Sequence, residues 1–451
     1  MKLHKIALGV AALSAIASPA FALTASTYNP ANAMEIYVSG ATAMDVGLEN
    51  ATLAMCQSGT IHKYTVSNQA VWLCTPRTTG ANAIGNLAGR TQLAVHKHSV
   101  GGSGNGVAPV NNSTPLPFLD LVKIASSCAA ATGAATTIAC TEASTTLTTT
   151  QVAPLGISDV EPQFFGAATG TYNNLIIEPL ATVIFGLPVT TAAYTALQAA
   201  QGLTVGATDA ANIPSLSSAQ VTSLFTQEGQ TWTAVTGATV AGDDTVYVAR
   251  RADSSGTQKT YEAVIARTIN GIAAGKSCNA GLPTFLAGPE AVDNNAANNL
   301  CNGDNLIVNN SGSGQVAACL NRFNSFGKGA IGTLTTEAVS AAGWKHVRIN
   351  GLLGNYANVK SGAYGQYGDA ALNTRRTPAI DGDHAAYKAA FKALFAAVPT
   401  LHPAFGDTTT DAGKAGVIGL NKVTGQTTGN PWNRTDDAGV IDNCRPARAD
   451  F

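Results

Sequence analysis

The spacing of apolar and polar positions divides this chain into short strands and longer helices in alternation. Glu35 to Val38 predicts a short strand, broken by Ser39-Gly40-Ala41-Thr42. A helix should follow, because Met44, Leu48, Ala51 and Met55 fall at helical spacing. Leu93 to His98 predicts a second strand, which runs into Gly101-Gly102-Ser103-Gly104-Asn105-Gly106. Asn111 to Thr150 is rich in Thr, Ala and Ser, and is expected as a surface insertion pinned by a disulfide. Pro154 to Ser158 leads into Asp159, and Leu180 to Leu187 is an apolar strand ending at Pro188. Leu216, Val221, Leu224 and Phe225 give one face of a helix over 216–225. Thr245 to Ala249 predicts a strand, and Tyr261, Val264, Ile265 and Ile269 mark a helix beyond it. The Asn- and Gly-rich run from Glu290 to Gly314 is expected to be loop, and Gly329 to Leu334 a further strand. Tyr387, Phe391, Leu394 and Phe395 give a last helix. Strands alternating with helices, with no internal repeat, mean an α/β protein.

Composition changes the picture at the amino terminus. Lys2, His4 and Lys5 precede the uncharged apolar run Ile6 to Ala17, and Ala20-Phe21-Ala22 supplies the small residues of a cleavage site. Residues 1–22 are expected to be a signal peptide, too short to anchor, so the mature protein should be periplasmic or extracellular, with no direct membrane insertion. Cleavage takes two of the 26 basic residues, leaving 24 against 27 acidic ones, a net −3 with His neutral. That weakly acidic balance excludes the basic excess expected of a nucleic-acid partner.

Eight Cys in an oxidising compartment predict disulfides. Near-neighbour pairing gives Cys56–Cys74, Cys128–Cys140 and Cys278–Cys301, and leaves Cys319 for Cys444. No CxxC pair points to zinc or redox chemistry, and no cofactor is expected.

The candidate chemistry lies where predicted strands end. Ser39-Gly40-Ala41-Thr42-Ala43 and Ser255-Gly256-Thr257 each open a helix, and Gly102-Ser103-Gly104 follows the strand ending at His98. A helix start offers unpaired N–H groups and the positive end of its dipole. Glycine lets an anion approach the backbone, and Ser or Thr adds hydroxyl donors, a set suited to a tetrahedral oxyanion.

The string Val246-Tyr247-Val248-Ala249-Arg250-Arg251-Ala252-Asp253-Ser254-Ser255-Gly256-Thr257 resembles the arginine-containing segment of the phosphate-binding proteins that serve periplasmic ABC transporters. In the same order as that family's loops, SGATAM at 39–44 and GGSGNG at 101–106 are similar to its first and second anion loops, and LGISDVEP at 155–162 to its aspartate loop. SLSSAQVTSLFTQEGQTW at 215–232 resembles the helix and tryptophan turn of its second lobe. GAIGTL at 329–334 is similar to its returning strand, and INGLLGNYANVKSGAY at 349–364 to the segment after that strand. The resemblance implies a type II periplasmic binding protein fold: two α/β lobes with a ligand cleft between them. Lobe 1 would hold 23–180 and 340–451, with insertions around 57–92 and 107–150, and lobe 2 would hold 181–339.

It also implies a phosphate site. Thr42 would donate its hydroxyl and N–H, Ala43 its N–H, and Ser103 a hydroxyl. Arg251 would supply the forked positive charge, with Asp253 holding that guanidinium. Alignment to Asp253 favours Arg251 over Arg250. Ser255, Gly256 and Thr257 would close the far side. Asp159 would accept the proton that hydrogen phosphate carries and sulfate at neutral pH lacks. Ala43 departs from the family, which usually has a large aromatic there.

The implied function is capture of inorganic phosphate for a membrane permease of an ABC transporter, without turnover. Two rivals are a phosphate scavenger or sensor uncoupled from any transporter, and a phosphate-ester hydrolase. The hydrolase reading lacks a metal cluster and an activated nucleophile. His96 and His98 point the same way on a strand but still need further metal ligands. Asp381 to His384 reads as a helix cap, and Asp293 to Asn310 as an ordinary loop rather than a calcium site. Trp72, Trp232, Trp344 and Trp432 are expected to pack in cores or turns.

Overall fold

The computed structural model describes residues 23–85, 87–128, 137–140, 144–160, 162–165, 171–264, 285–340, 342–360, 363–397 and 417–419. The first lobe is built on β1 (Ala33–Gly40), the hairpin β2 (His62–Val66) and β3 (Gln69–Cys74), β4 (Gln92–His98), β5 (Pro115–Leu119), β6 (Thr137–Ala139), β7 (Thr148–Val152) and β8 (Leu155–Ser158). β1 lies between β4 and β8, parallel to both. The strand that opens the lobe therefore sits in the middle, with later strands on its two sides. Such a reversal of strand order leaves a crevice beyond the carboxyl ends of the strands, where α/β proteins bind ligands.

A 16-residue strand, β9 (Leu175–Thr190), joins the lobes. The second lobe follows with β10 (Ser215–Leu216), β11 (Tyr247–Arg251), β12 (Glu290–Ala291), β13 (Ile307–Asn310), β14 (Ala330–Gly332) and β15 (Leu334–Thr335). β16 (Trp344–Ile349), which the expected lobe bounds put in lobe 1, pairs with β10 and β9 beside them. β11 again lies between two parallel neighbours, β13 and β14. β17 (Tyr367–Arg375) then runs antiparallel to both β8 and the first part of β9, and β18 (Val417–Gly419) pairs with β9 as well. The second part of β9, from Phe185 to Thr190, pairs antiparallel with β15, β16 and β14. In both lobes a central strand thus lies between two later parallel strands, and the fold is the two-lobed α/β arrangement expected from the sequence.

One buried cluster runs through both lobes, from Met34 and Leu48 to Val221, Trp232 and Val248, and a second lies within the second lobe alone. Tyr247, Ala249, Val308, Val316, Leu320, Phe323 and Trp344 belong to the second. In the first, the helix Asp45–Met55 buries Leu48, Ala51 and Met55, the positions its spacing predicted. The helix Gly382–Ala397 places Tyr387 and Phe391 in the same core. Among the described residues no helix is long and apolar enough to cross a membrane.

Four expectations need correction. The strand expected over 180–187 runs from Leu175 and continues through Pro188 to Thr190, because it pairs with β17 first and with β16 later. The run 290–314 is not loop. It holds β12, the helix Asn294–Leu300 and β13, and then opens the helix Ser313–Ser325. Its amide side chains mask a small apolar face of Ala291, Ala297, Cys301 and Val308, all buried. The insertion over 111–150 is not merely superficial. β5 and β7 pair, and Phe118, Leu119, Leu121, Ile124 and Leu147 are buried, the last four packing in one cluster with the β2–β3 hairpin.

The disulfides are the fourth. Cys56–Cys74 and Cys128–Cys140 form as expected, but Cys301 joins Cys319, not Cys278. Cys301 ends one helix and Cys319 lies within the next, and the packing of those two helices brings them together. Cys319 is therefore not available to Cys444. Both Cys278 and Cys444 lie outside the described residues, as do Trp432 and the expected signal peptide over 1–22. Peptide mapping of the unreduced protein should recover a linked Cys301–Cys319 pair. A Cys278–Cys301 link would refute this arrangement.

Candidate functional site

Strand ends deliver the site. β1 ends at Gly40, at φ +109°, and the chain turns through Ala41 into a short 3₁₀ turn, Thr42–Met44. Gly40 has no alternative there: a Cβ would overlap the Ile157 carbonyl oxygen and stand 2.7 Å from the Gly106 Cα. β4 leads to the turn Gly102–Gly106, β8 to Asp159, β11 to the helix Gly256–Val264, and β13 to the helix Ser313–Ser325. These are the carboxyl ends of parallel strands in both lobes, so the two crevices face each other.

The turns of the first lobe are tied to one another. Ser39 Oγ donates to the Asn105 carbonyl at 2.7 Å, and Asn373 Nδ2 donates to the Gly106 carbonyl at 2.9 Å and to Ser158 Oγ at 3.1 Å. Ser103 and Asp159, both buried, are hydrogen-bonded, the hydroxyl donating to Oδ1, and Asp159 N–H donates back to Ser103 Oγ at 3.2 Å. Thr257 Oγ1 of the second lobe lies 3.5 Å from Asp159 Oδ2. Burial pushes the Asp159 pKa up, while Ser103, Arg251 and Thr257 pull it down.

Arg250 and Arg251 are adjacent on β11 and both 1% exposed, yet they do different work. Side chains alternate along a strand. Arg250 donates to the carbonyls of Phe285 at 3.0 Å and Leu286 at 2.7 Å, and forms the ion pair with Asp253. Asp253 therefore does not hold Arg251, as the sequence led us to expect; its side chain is 73% exposed and belongs to the neighbouring arginine. Arg251 is held instead by the Asn310 carbonyl at 3.2 Å, the Ser311 carbonyl at 2.9 Å and Ser313 Oγ at 3.2 Å. Among the described residues no carboxylate lies within 4 Å of it. Burial lowers its pKa to about 10, so it stays charged at neutral pH.

The remaining expected residues fall close by. Thr42 Oγ1 is 3.1 Å from Ser313 Oγ, which joins the turn after β1 to the residue beside Arg251. Ala43 is buried in the same turn. Ser255 Oγ accepts from the Gln258 N–H at 3.4 Å and so caps its own helix. Gly256 abuts Asp159: a Cβ there would overlap Oδ1. Further bonds close the lobes on each other. Gly104 N–H donates to the Ser254 carbonyl at 2.8 Å, Gly101 N–H to Ser311 Oγ at 3.2 Å, and Asn68 Nδ2 to Gln315 Oε1 at 2.6 Å.

Sequence reasoning missed Ser313, although Ser311-Gly312-Ser313-Gly314 carries the same strand-end signature as the first loop. It also passed over Lys97. The two His on either side of Lys97 bond the insertion instead: Nδ1 of His96 donates to the Leu119 carbonyl and Nδ1 of His98 to the Pro117 carbonyl, each at 2.8 Å. Asp381 caps the helix Gly382–Ala397, accepting from the His384 N–H at 2.9 Å, as its position predicted.

No family model and no curated protein matches the chain. Its structural likeness is to phosphate-binding proteins. A protein from Clostridium perfringens, described as a phosphate ABC transporter substrate-binding protein and solved with bound phosphate, is 12% identical, with 86% of this chain and 99% of that one covered and a TM-score of 0.45. An ABC-type phosphate transport receptor from Vibrio cholerae is 14% identical over 79% of this chain and 93% of that one, with a TM-score of 0.37. A phosphate-binding protein from Stenotrophomonas maltophilia is 13% identical over 91% and 96%, with a TM-score of 0.41.

Proposed function

We propose that this chain is an exported binding protein that captures hydrogen phosphate in the interlobe cleft and presents it to a membrane permease. One observation carries the reading. Among the described residues the buried Arg251 guanidinium has no carboxylate within 4 Å and the buried Asp159 carboxylate has no cation within 4 Å, although each feels the other's charge across the junction of the lobes. Unpaired buried charges are costly, typically about 3–5 kcal/mol when a partner is removed. An anion that also carries a proton answers both: it pairs with Arg251 and donates its proton to Asp159. Thr42, Ser103, Ser313 and Thr257 add hydroxyls, and Ala43, Gly256 and Thr257 add N–H groups at chain turns. Closure of the lobes across the anion is the state a permease would recognise.

Calorimetric titration of phosphate-stripped protein with phosphate and then sulfate tests the reading. One-to-one phosphate binding with little response to sulfate is expected; no binding of either would sink it. Asp159→Asn should narrow the preference for phosphate over sulfate by about a hundredfold or more, since an amide donates to sulfate where a carboxylate repels it. Selectivity unchanged in Asp159→Asn would remove Asp159 from the site.

A further inference from the structure

Lys97 is 1% exposed in the interior of the first lobe, directly behind the first anion loop. Its ammonium donates to the Gly40 carbonyl at 2.8 Å and to Ser99 Oγ at 2.7 Å, and lies 3.5 Å from the Ala41 carbonyl. Asp45, at the start of the helix Asp45–Met55, lies 3.2 Å away and accepts a 2.8 Å hydrogen bond from Ser99 Oγ. Burial pulls the lysine pKa down, against the opposing pull of Asp45 and Asp159. A lysine is almost never fully buried unless it is paired, because its strongly hydrated head loses most on leaving water, and here Asp45 is the partner.

Its position has two consequences. In a trans peptide the C=O and N–H point in opposite directions. The Gly40 carbonyl, held at 2.8 Å, belongs to the peptide whose Ala41 N–H donates to the Ile157 carbonyl at 2.8 Å, so the lysine fixes the exit of the loop from β1. Its longer 3.5 Å contact with the Ala41 carbonyl leaves the Thr42 N–H on the opposite side of that peptide, where the oxyanion would sit. The second consequence is charge. Two buried cations, Arg251 and Lys97, and two carboxylates, Asp45 and Asp159, set the potential of the crevice, with Lys63 facing Asp45 from the other side.

We infer that Lys97, with Asp45 and Ser99, is a positioning device of the oxyanion site that turns the first loop toward the ligand and biases the site toward the dianionic form of phosphate. This rests on the phosphate reading above. Lys97 need not touch the ligand; it acts through the peptide units of Gly40 and Ala41 and through its charge.

The test is the phosphate affinity of the full-length mature protein at about pH 6 and about pH 8, on either side of the second ionisation of phosphate. It compares the parent, Lys97→Met and Asp45→Asn. Lys97→Met should weaken binding by about tenfold or more at the higher pH and by less at the lower one, since the lost charge matters most to the dianion. Asp45→Asn keeps the lysine and removes its negative partner, so the ratio of the two affinities should move the opposite way. A purely structural lysine would not give opposite signs. If both variants keep the parent's ratio, or shift it in the same direction, the inference is overturned. Should Lys97→Met fail to fold, Asp45→Asn decides alone, because an unchanged ratio in it refutes the charge argument. A parent that binds no phosphate refutes the site itself, and is told apart by failing before any variant is compared.

Discussion

Arg251→Ala should lose phosphate binding by at least about a hundredfold, and the loss should extend to every oxyanion. Truncating one member of a buried, hydrogen-bonded charge pair typically costs about 2–5 kcal/mol, and each 1.4 kcal/mol or so is tenfold. The geometry makes this arginine the only candidate for that role on β11. Arg250 is tied to Asp253 and to two carbonyls, whereas Arg251 bonds only main-chain oxygens and Ser313 on the side facing the crevice. Arg251→Lys is the more informative companion. It keeps the charge but loses the fork, and should retain part of the affinity. Thermal denaturation gives an independent reading, because a ligand that binds only the folded state raises the midpoint. Phosphate should raise it for the parent and leave Arg251→Ala where it was. A parent-like affinity in Arg251→Ala would mean that the assignment of the site is wrong.

Most of the architecture was legible because it rests on periodicity. The helix from Asp45 was readable from Met44, Leu48, Ala51 and Met55, and three strand-end turns were readable because Ser, Gly and Thr cluster there. The lost part has a common cause. Across 290–314 the buried face consists of alanines and one or two aliphatic residues per element, too little apolar surface to stand out among so many asparagines. That segment holds β13 and the start of the helix bearing Ser313, so its misreading also hid a residue of the proposed site. The partner of Arg251 failed differently. The family resemblance implied Asp253, but two residues along an emerging turn do not fix which of two neighbouring arginines a carboxylate meets. The disulfide from Cys301 depended on how two helices pack, which spacing alone does not encode. Lys97 was overlooked because the flanking histidines drew attention to metal binding.

Gly256→Ala should weaken phosphate binding by about tenfold or more while leaving the unliganded protein as stable as the parent. Gly256 opens the helix Gly256–Val264, and alanine is the better residue within a helix, by up to about 1 kcal/mol. Its backbone is not in the left-handed region, so alanine brings no strain of its own. The difficulty arises only across the cleft. The added methyl would overlap Asp159 Oδ1 and stand 2.8 Å from Ser103 Oγ, two groups of the opposite lobe. Both are buried and hydrogen-bonded to each other, so neither can yield without breaking the pair. The methyl therefore acts as a wedge against closure rather than against folding. Small-angle scattering should show the parent compacting when phosphate is added and the variant remaining more open. Parent-like affinity together with parent-like compaction would mean that the ligand is held in an arrangement in which Gly256 and Asp159 stay apart, and their contact would then have no part in closure.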